Sequence, residues 1–411
     1  MKHSRLFKSA ISVLAGAVIL SCSASAALAD DEVTLTIAAR GGSHVDVINA
    51  VKDKFEKENN CTIKILGLEN ASLKQKVSLD SRNEEGAFDL VMLDDPWIPE
   101  FAAGGLLLNL TQNGYKDDPD FVTTSLAVCK EPYATGDTYA LPFAGNVTLL
   151  FYNAGVLDKV GAKVPDNWQD VLTVSQKVKD QGLLGYLVRG QQGNPIVGDY
   201  LPILWAMGGD VFDKDMKNVT VNSQIAKDAL ALYIELYKTG ANYDKNDLVA
   251  SVSKGKAAMS LGWPSWFISG SDSLANYAVI PGKKDASSPE YSAGVIGNWM
   301  MGVTANTTHK DLAVKLLQYL TSAEVQISAA DKGAVPTRTS VFNNADLNAK
   351  YPFYQVLLKG TEKSKVRPRT PLWGEIENVY GIELSNALTG QKSIDDALND
   401  AKAAIEEVIA R

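Results

Sequence analysis

The chain has 411 residues, 45% hydrophobic and 21% charged, with a formal net charge of −8. That is ordinary globular composition, long enough for two lobes with a core each. The acidic balance argues against a nucleic-acid partner.

Residues 1–29 read as a secretory signal and not as part of the fold. Lys2, Arg5 and Lys8 form a basic start, Ala10–Leu20 is an apolar run too short for a membrane span, and Ala27-Leu28-Ala29 is a small-residue cleavage site before Asp30. Without that segment, 37 basic residues face 48 acidic ones, a net charge of −11. Ser21-Cys22 partly resembles a lipoprotein box, but Leu20 fits it poorly, so cleavage after Ala29 is the expectation. Cys61 and Cys129 remain as a pair in an exported chain. They are either a disulfide or two small buried hydrophobes.

In chain order, Val33, Leu35 and Ile37 alternate with polar residues and predict a strand. Val47, Val51 and Phe55 recur at helical spacing. Thr62–Leu66 reads as a second strand, Ser72–Leu79 as a helix and Phe88–Leu93 as a buried third strand. Strand and helix in alternation imply a parallel sheet whose ligand sits beyond the carboxyl ends of the strands. The loops there hold Arg40-Gly41-Gly42-Ser43-His44 and Asp94-Asp95-Pro96-Trp97. Leu141–Gly145 then interrupts regular structure before the apolar run Val147–Tyr152, where the chain is expected to leave one lobe for another.

Beyond the crossover lies a second set of elements. Helices are expected at Trp168–Lys179 and Ala226–Tyr237, and strands at Leu183–Arg189, Gly255–Leu261 and Tyr277–Ile280. Gly294–Val303 precedes a helix over Asp311–Thr321 with Leu312, Leu316 and Leu320 on its core face. Ser393 and Asp396 open the last helix as a capping pair.

Catalytic motifs are missing. The sequence has no His-Glu-x-x-His, Cys-x-x-Cys, Gly-x-Ser-x-Gly or Walker loop, and no metal or cofactor is expected. A glycosidase would need facing carboxylates, which Asp94-Asp95 and Glu375/Glu377 could supply, but acidic neighbours are common on any acidic chain. Binding fits better. A sugar receptor needs hydrogen-bonding groups for hydroxyls and aromatic plates for C–H faces. Asp94 and Asp95 are candidate acceptors, with at least one expected to cap the helix near Trp97. Ser43 and His44 open the first helix, and Asn146 lies on the crossover. Trp263, Trp266, Trp299 and Trp373 sit beside Gly or Pro in loops, whereas Trp168 and Trp205 lie in apolar helical patterns. Arg369 is aimed by a stiff proline-flanked loop.

Leu141–Leu172, with Tyr152-Asn153 and Pro165-x-x-Trp168, resembles the lobe crossover of bacterial extracellular sugar-binding proteins of ABC transporters, the maltose-binding-protein-like solute-binding proteins. Gly297-Asn298-Trp299 and the helix after it, Val335–Arg338 and Arg367–Pro371 are similar to further marks of that family. The resemblance spans essentially the whole chain after residue 29. It implies an α/β fold of two lobes, each a sheet flanked by helices, joined by hinge crossings. It places residues 30–145 and 298–345 in the N-terminal lobe and 146–297 and 346–411 in the C-terminal lobe. It also implies a cleft lined by Ser43, His44, Asp94, Asp95, Asn146, Trp263, Trp266, Asn298, Trp299, Arg369 and Trp373. Gly145-Asn146 departs from the pattern, since several relatives place a carboxylate there.

The expected function is a periplasmic carbohydrate-binding component of an ABC importer, monomeric, with permease subunits as partners and no enzymatic activity. A binding protein for a glycerol phosphodiester is the alternative, since Arg369 could meet a phosphate. A polyamine would need more acids and ferric iron more tyrosine and histidine clusters. A glycosidase and an adhesion or sensor module complete the alternatives.

Overall fold

The computed structural model describes residues 33–266, 274–282 and 293–411. The expected signal segment 1–29, including Cys22, lies outside the described residues. Two five-stranded sheets organise the described chain.

The first unit runs β1 (Val33–Arg40), α1 (Ser43–Asn59), β2 (Cys61–Leu68), α2 (Asn70–Asp80) and β3 (Leu90–Asp94). Short helices α3 (Ile98–Ala103) and α4 (Thr123–Ala127) come next, then a small hairpin of β4 (Lys130–Glu131) and β5 (Asp137–Thr138), then β6 (Leu141–Ala144). The stretch that interrupts regular structure in the sequence therefore still supplies an edge strand. Its proline is tolerable there because an edge strand leaves one side of its ladder unpaired.

The chain then crosses to β7 (Leu149–Asn153), α5 (Ala154–Lys159), α6 (Trp168–Asp180), β8 (Leu184–Val188), α7 (Asn194–Ala206), α8 (Gln224–Lys238), β9 (Ala241–Asn242), α9 (Lys245–Ser253), β10 (Ala257–Gly262) and β11 (Ala275–Ala278). Four side-chain caps fix helix starts here: Asn153 for α5, Asn167 for α6, Ser223 for α8 and Asp244 for α9. The return strand β12 (Trp299–Val303) leads to α10 (Lys310–Leu320), α11 (Ala323–Ser328), α12 (Thr339–Phe342), α13 (Ala345–Lys350) and α14 (Phe353–Glu362). The chain ends in α15 (Trp373–Leu388) and α16 (Ile394–Ile409), where Ser393 accepts from the Asp396 amide at 3.1 Å.

The first sheet has the order β2-β1-β3-β12-β6, with β1, β2 and β3 parallel and β12 antiparallel between β3 and β6. The second has the order β11-β7-β10-β8-β9. Leu35, Ile37, Val47, Phe55, Met92, Met301 and Leu317 belong to the first core, and Tyr186, Tyr200, Trp205, Leu230, Tyr380 and Leu398 to the second. A third cluster covers the other face of the second sheet, packing Leu149, Phe151 and Tyr277 against Phe342, Phe353 and Leu357.

One expectation changes, and one left open is decided. The buried face of α10 is Ala313, Leu316, Leu317 and Leu320, with Leu312 only partly covered. Small Ala313 lets the helix sit closer, rotated from the leucine stripe. No disulfide joins Cys61 and Cys129. Cys61 starts β2, while the Cys129 thiol, pushed up in pKa by burial, donates to the Ser125 carbonyl at 3.6 Å.

Candidate ligand-binding site

Strand polarity assembles one rim in each unit. β1, β2 and β3 are parallel, so Arg40, Leu68 and Asp94 end on the same edge. β12 runs the other way, which sets its first residue, Trp299, against Asp94 and against Ala144 at the end of β6. In the second sheet β8, β9 and β10 are parallel, and their carboxyl ends lead into Arg189, Lys245 and Trp263–Trp266.

Two crossing segments are tied together behind these rims. The Asn298 side-chain oxygen accepts from the Asn146 amide at 2.8 Å, and the Asn146 carbonyl accepts from the Gly297 amide at 2.9 Å. Both asparagines are buried. Gly145 is required by close approach, since a Cβ there would lie 2.1 Å from the Pro336 carbonyl oxygen.

A charged network spans the two units at the base. Arg367 donates to Asp94 at 2.8 Å and also to Asp95, 273 and 272 residues away in sequence, and lies 3.9 Å from Glu377 on α15. Glu377 in turn accepts from Asn194 of α7 at 3.0 Å. Arg369 donates to the carbonyls of Asp95 at 2.7 Å and Val128 at 3.2 Å, with its guanidinium 5.6 Å from the Tyr133 ring centre. Burial pushes the Asp95 carboxyl up to about 7, with Asp94 adding to the shift and both arginines opposing it. Burial raises Glu377 as well, against the pull of Arg367. A groove of about 980 Å³ borders Arg367 and Arg369 and runs between Tyr133 and the Gly208–Lys214 segment.

The second group of side chains lies at the rims. His44 packs its ring 5.7 Å from Trp299 and 6.2 Å from Phe143. Burial brings its pKa down to about 4, helped by the charges of Arg40 and, from the other unit, Lys245. It is therefore neutral at neutral pH. Trp266 carries the Arg189 guanidinium 4.9 Å and the Lys245 ammonium 5.8 Å from its ring centre. Arg189 is locked by Asp199, which accepts from its Nε at 3.0 Å and its amide at 3.1 Å. Arg40 is held by Glu69 at 2.8 Å and the Leu68 carbonyl at 3.1 Å.

The sequence candidates divide accordingly. Ser43, Asp94, Trp266 and Trp299 are partly open at the rims, and His44 lies just beneath them. Three expectations need correction. Trp373 is 1% exposed within the second core and presents no plate to a cleft. Trp263, at 9%, is nearly as enclosed and belongs to the same core. Neither Asp94 nor Asp95 caps the helix after β3 by its side chain, because Arg367 holds both carboxylates. Arg369, expected at a ligand, donates to main-chain carbonyls and borders the groove. Arg367, Arg189 and Lys245 were not singled out from the sequence. The Arg-Pro-Arg spacing could not say which arginine faces the aspartates. Glu377, four residues after Trp373, shares its helix face, and that was a usable signal.

A profile of the bacterial extracellular solute-binding protein family matches residues 41–327. The chain belongs to this family. Among relatives of this solute-binding protein is a putative binding protein of Brucella abortus, 26% identical over 97% of this chain and 98% of that one. Another is a probable amino-acid ABC transporter periplasmic-binding protein of Sinorhizobium fredii, 23% identical over 91% of this chain and 88% of its own length. Solved structures agree in fold. An Agrobacterium radiobacter solute-binding protein in complex with ribitol superposes with a TM-score of 0.82 at 23% identity, covering 92% of this chain and 98% of that one. A maltose-bound protein of T. maritima gives 0.81 at 24% identity, covering 92% and 100%. At such identities the likeness establishes the two-lobed periplasmic-binding-protein architecture.

Proposed function

We propose that this solute-binding protein takes up a carbohydrate or polyol between its two lobes in the periplasm and delivers it, as a monomer and without chemical change, to the permease subunits of an ABC importer. The observation that carries this reading is the meeting of two strand-end rims. Lys245, from the second sheet's rim, acts electrostatically on His44, Arg40 and Glu69 of the first. A ligand held there touches both lobes only when they are together, so binding favours the closed form. Trp266 and Trp299 offer aromatic faces for sugar C–H groups, while Ser43 and Asp94 offer hydrogen-bonding groups. Two of the structural relatives hold ribitol and maltose. The basic and apolar segment before Ala29 supports export and cleavage there.

A phosphodiester fits less well, because Arg367 and Arg369 are already committed within the protein. The test is a melting-temperature panel of sugars, polyols, glycerol phosphodiesters and amino acids. A ligand at about a hundred times its Kd adds about 2.7 kcal/mol to stability, a rise of about 5 °C or more. A rise with a sugar or polyol supports the reading. A rise only with amino acids or phosphodiesters, or release of product from a glycoside, overturns it.

A further inference from the structure

The geometry points to an acidic carbohydrate as the ligand, with its carboxylate held between Arg40 of the first rim and Lys245 of the second, over the first turn of α1. This rests on the carbohydrate reading above and adds the ligand's charge.

The charge distribution argues for it. The protein as a whole is acidic, yet here two cations come together from opposite lobes. Arg40 has Glu69 as its counter-charge. Lys245 makes no ion pair among the described residues. Its ammonium lies instead by the Trp266 ring. Nearby acids do not pair with it. Asp244 accepts from the amides of Asn246 and Asp247 at 2.8 and 2.9 Å as the cap of α9, and Glu69 is already bound to Arg40. Arg189, the other cation near Trp266, is balanced by Asp199. Arg40, Lys245 and Glu69, the charges that act on one another across the two rims, sum to a single positive charge, which matches one carboxylate.

The backbone adds to it. α1 is 17 residues long and begins after Gly42, whose φ of 84° and missing side chain leave the helix start without a side-chain cap. A Cβ on Gly42 would meet nothing within 4 Å, so the space over this turn is open. Leading N–H groups and the helix dipole favour an anion there. Buried His44 stays neutral beneath the turn and adds no second charge, and its Nδ1 has no hydrogen-bond partner among the described residues. The aromatic faces of Trp266 and Trp299 flank the site, as a sugar ring attached to the carboxylate would require.

The arrangement also gives closure a reason to depend on the ligand's charge. Burial and Arg40 together depress the pKa of Lys245, so drawing the lobes together without an anion sets like charges against each other. A carboxylate between them converts that repulsion into two charge-assisted hydrogen bonds made only in the closed form.

The test is calorimetric titration of the full chain with matched pairs: galacturonate and galactose, glucuronate and glucose, gluconate and sorbitol, with glucose 6-phosphate alongside. At least one acid should bind about ten-fold or more tightly than its neutral partner, the worth of one charge-assisted hydrogen bond. That ratio should fall toward one in Lys245→Gln and Arg40→Gln. The unliganded melting temperature of Lys245→Gln should not fall, since the side chain makes no ion pair and stands against the charge of Arg40. Neutral partners binding as well as the acids, a ratio that survives in Lys245→Gln, or tighter binding of the phosphate would each overturn the assignment. Binding of neutral sugars alone would sink this inference and leave the carbohydrate reading standing. No binding by any carbohydrate would remove both.

Discussion

Arg367→Met is the most informative single change. It keeps an unbranched side chain of similar reach and removes the charge that holds Asp94, Asp95 and Glu377 together. All of these groups are buried or nearly so, and Arg367 makes its contacts at 3% side-chain exposure. Breaking a buried pair from one side leaves an uncompensated charge and costs about 3–5 kcal/mol. For a lobe of this size that is a fall in melting temperature of about 6–10 °C, taking about 2 °C per kcal/mol.

The pH dependence gives a second check. Asp95 has a folded-state pKa raised to about 7 by burial, above its unfolded value. A raised carboxyl favours the folded state while protonated, so its contribution is full below about pH 4 and is lost as pH rises through about 7. Without Arg367 the Asp95 and Glu377 carboxyls shift further up and take protons sooner. The deficit of Arg367→Met should therefore be largest near about pH 7.5 and shrink toward about pH 5. Differential scanning fluorimetry across pH measures both. A fall under about 2 °C at pH 7.5, or one of equal size at both pH values, would refute the reasoning.

Asp95→Asn removes the titrating group, so the part of the wild-type decline in stability between about pH 4 and 7 that Asp95 causes should disappear from its melting profile. Trp373→Ala should cost about 3–5 kcal/mol by opening a cavity in the second core, read as a lower melting temperature. Trp266→Ala, at a partly open rim, should instead weaken ligand binding in calorimetry with little change in melting. Gly145→Ala should cost about 1–3 kcal/mol, because the methyl would lie 2.1 Å from the Pro336 carbonyl; melting at the wild-type temperature would contradict this.

Alternation and helical spacing located most elements because each buries one face, and that face repeats along the chain. Val47, Val51 and Phe55 are all buried on α1, and Trp168 and Trp205 are core residues as their patterns implied. The rims were legible for a related reason. Parallel strands put their carboxyl ends on one edge, so Arg40 and Asp94 were placed together by topology alone. The tryptophans were misjudged where local context was the only guide. Trp373 follows a proline-rich loop, but it is the first residue of α15, and that helix carries it into the second core.

The amino-acid pattern by itself determined two α/β units, their order along the chain and the loops that could meet. Those depend on interactions within a few residues or on the repeat of a buried face. Which charges meet was decided only in three dimensions. Arg367 finds Asp94 across 273 residues and Lys245 feels the charge of Arg40 from the other unit, and no local spacing encodes such encounters. They arise because the crossings between lobes, tied by Asn146 and Asn298, set one rim against the other.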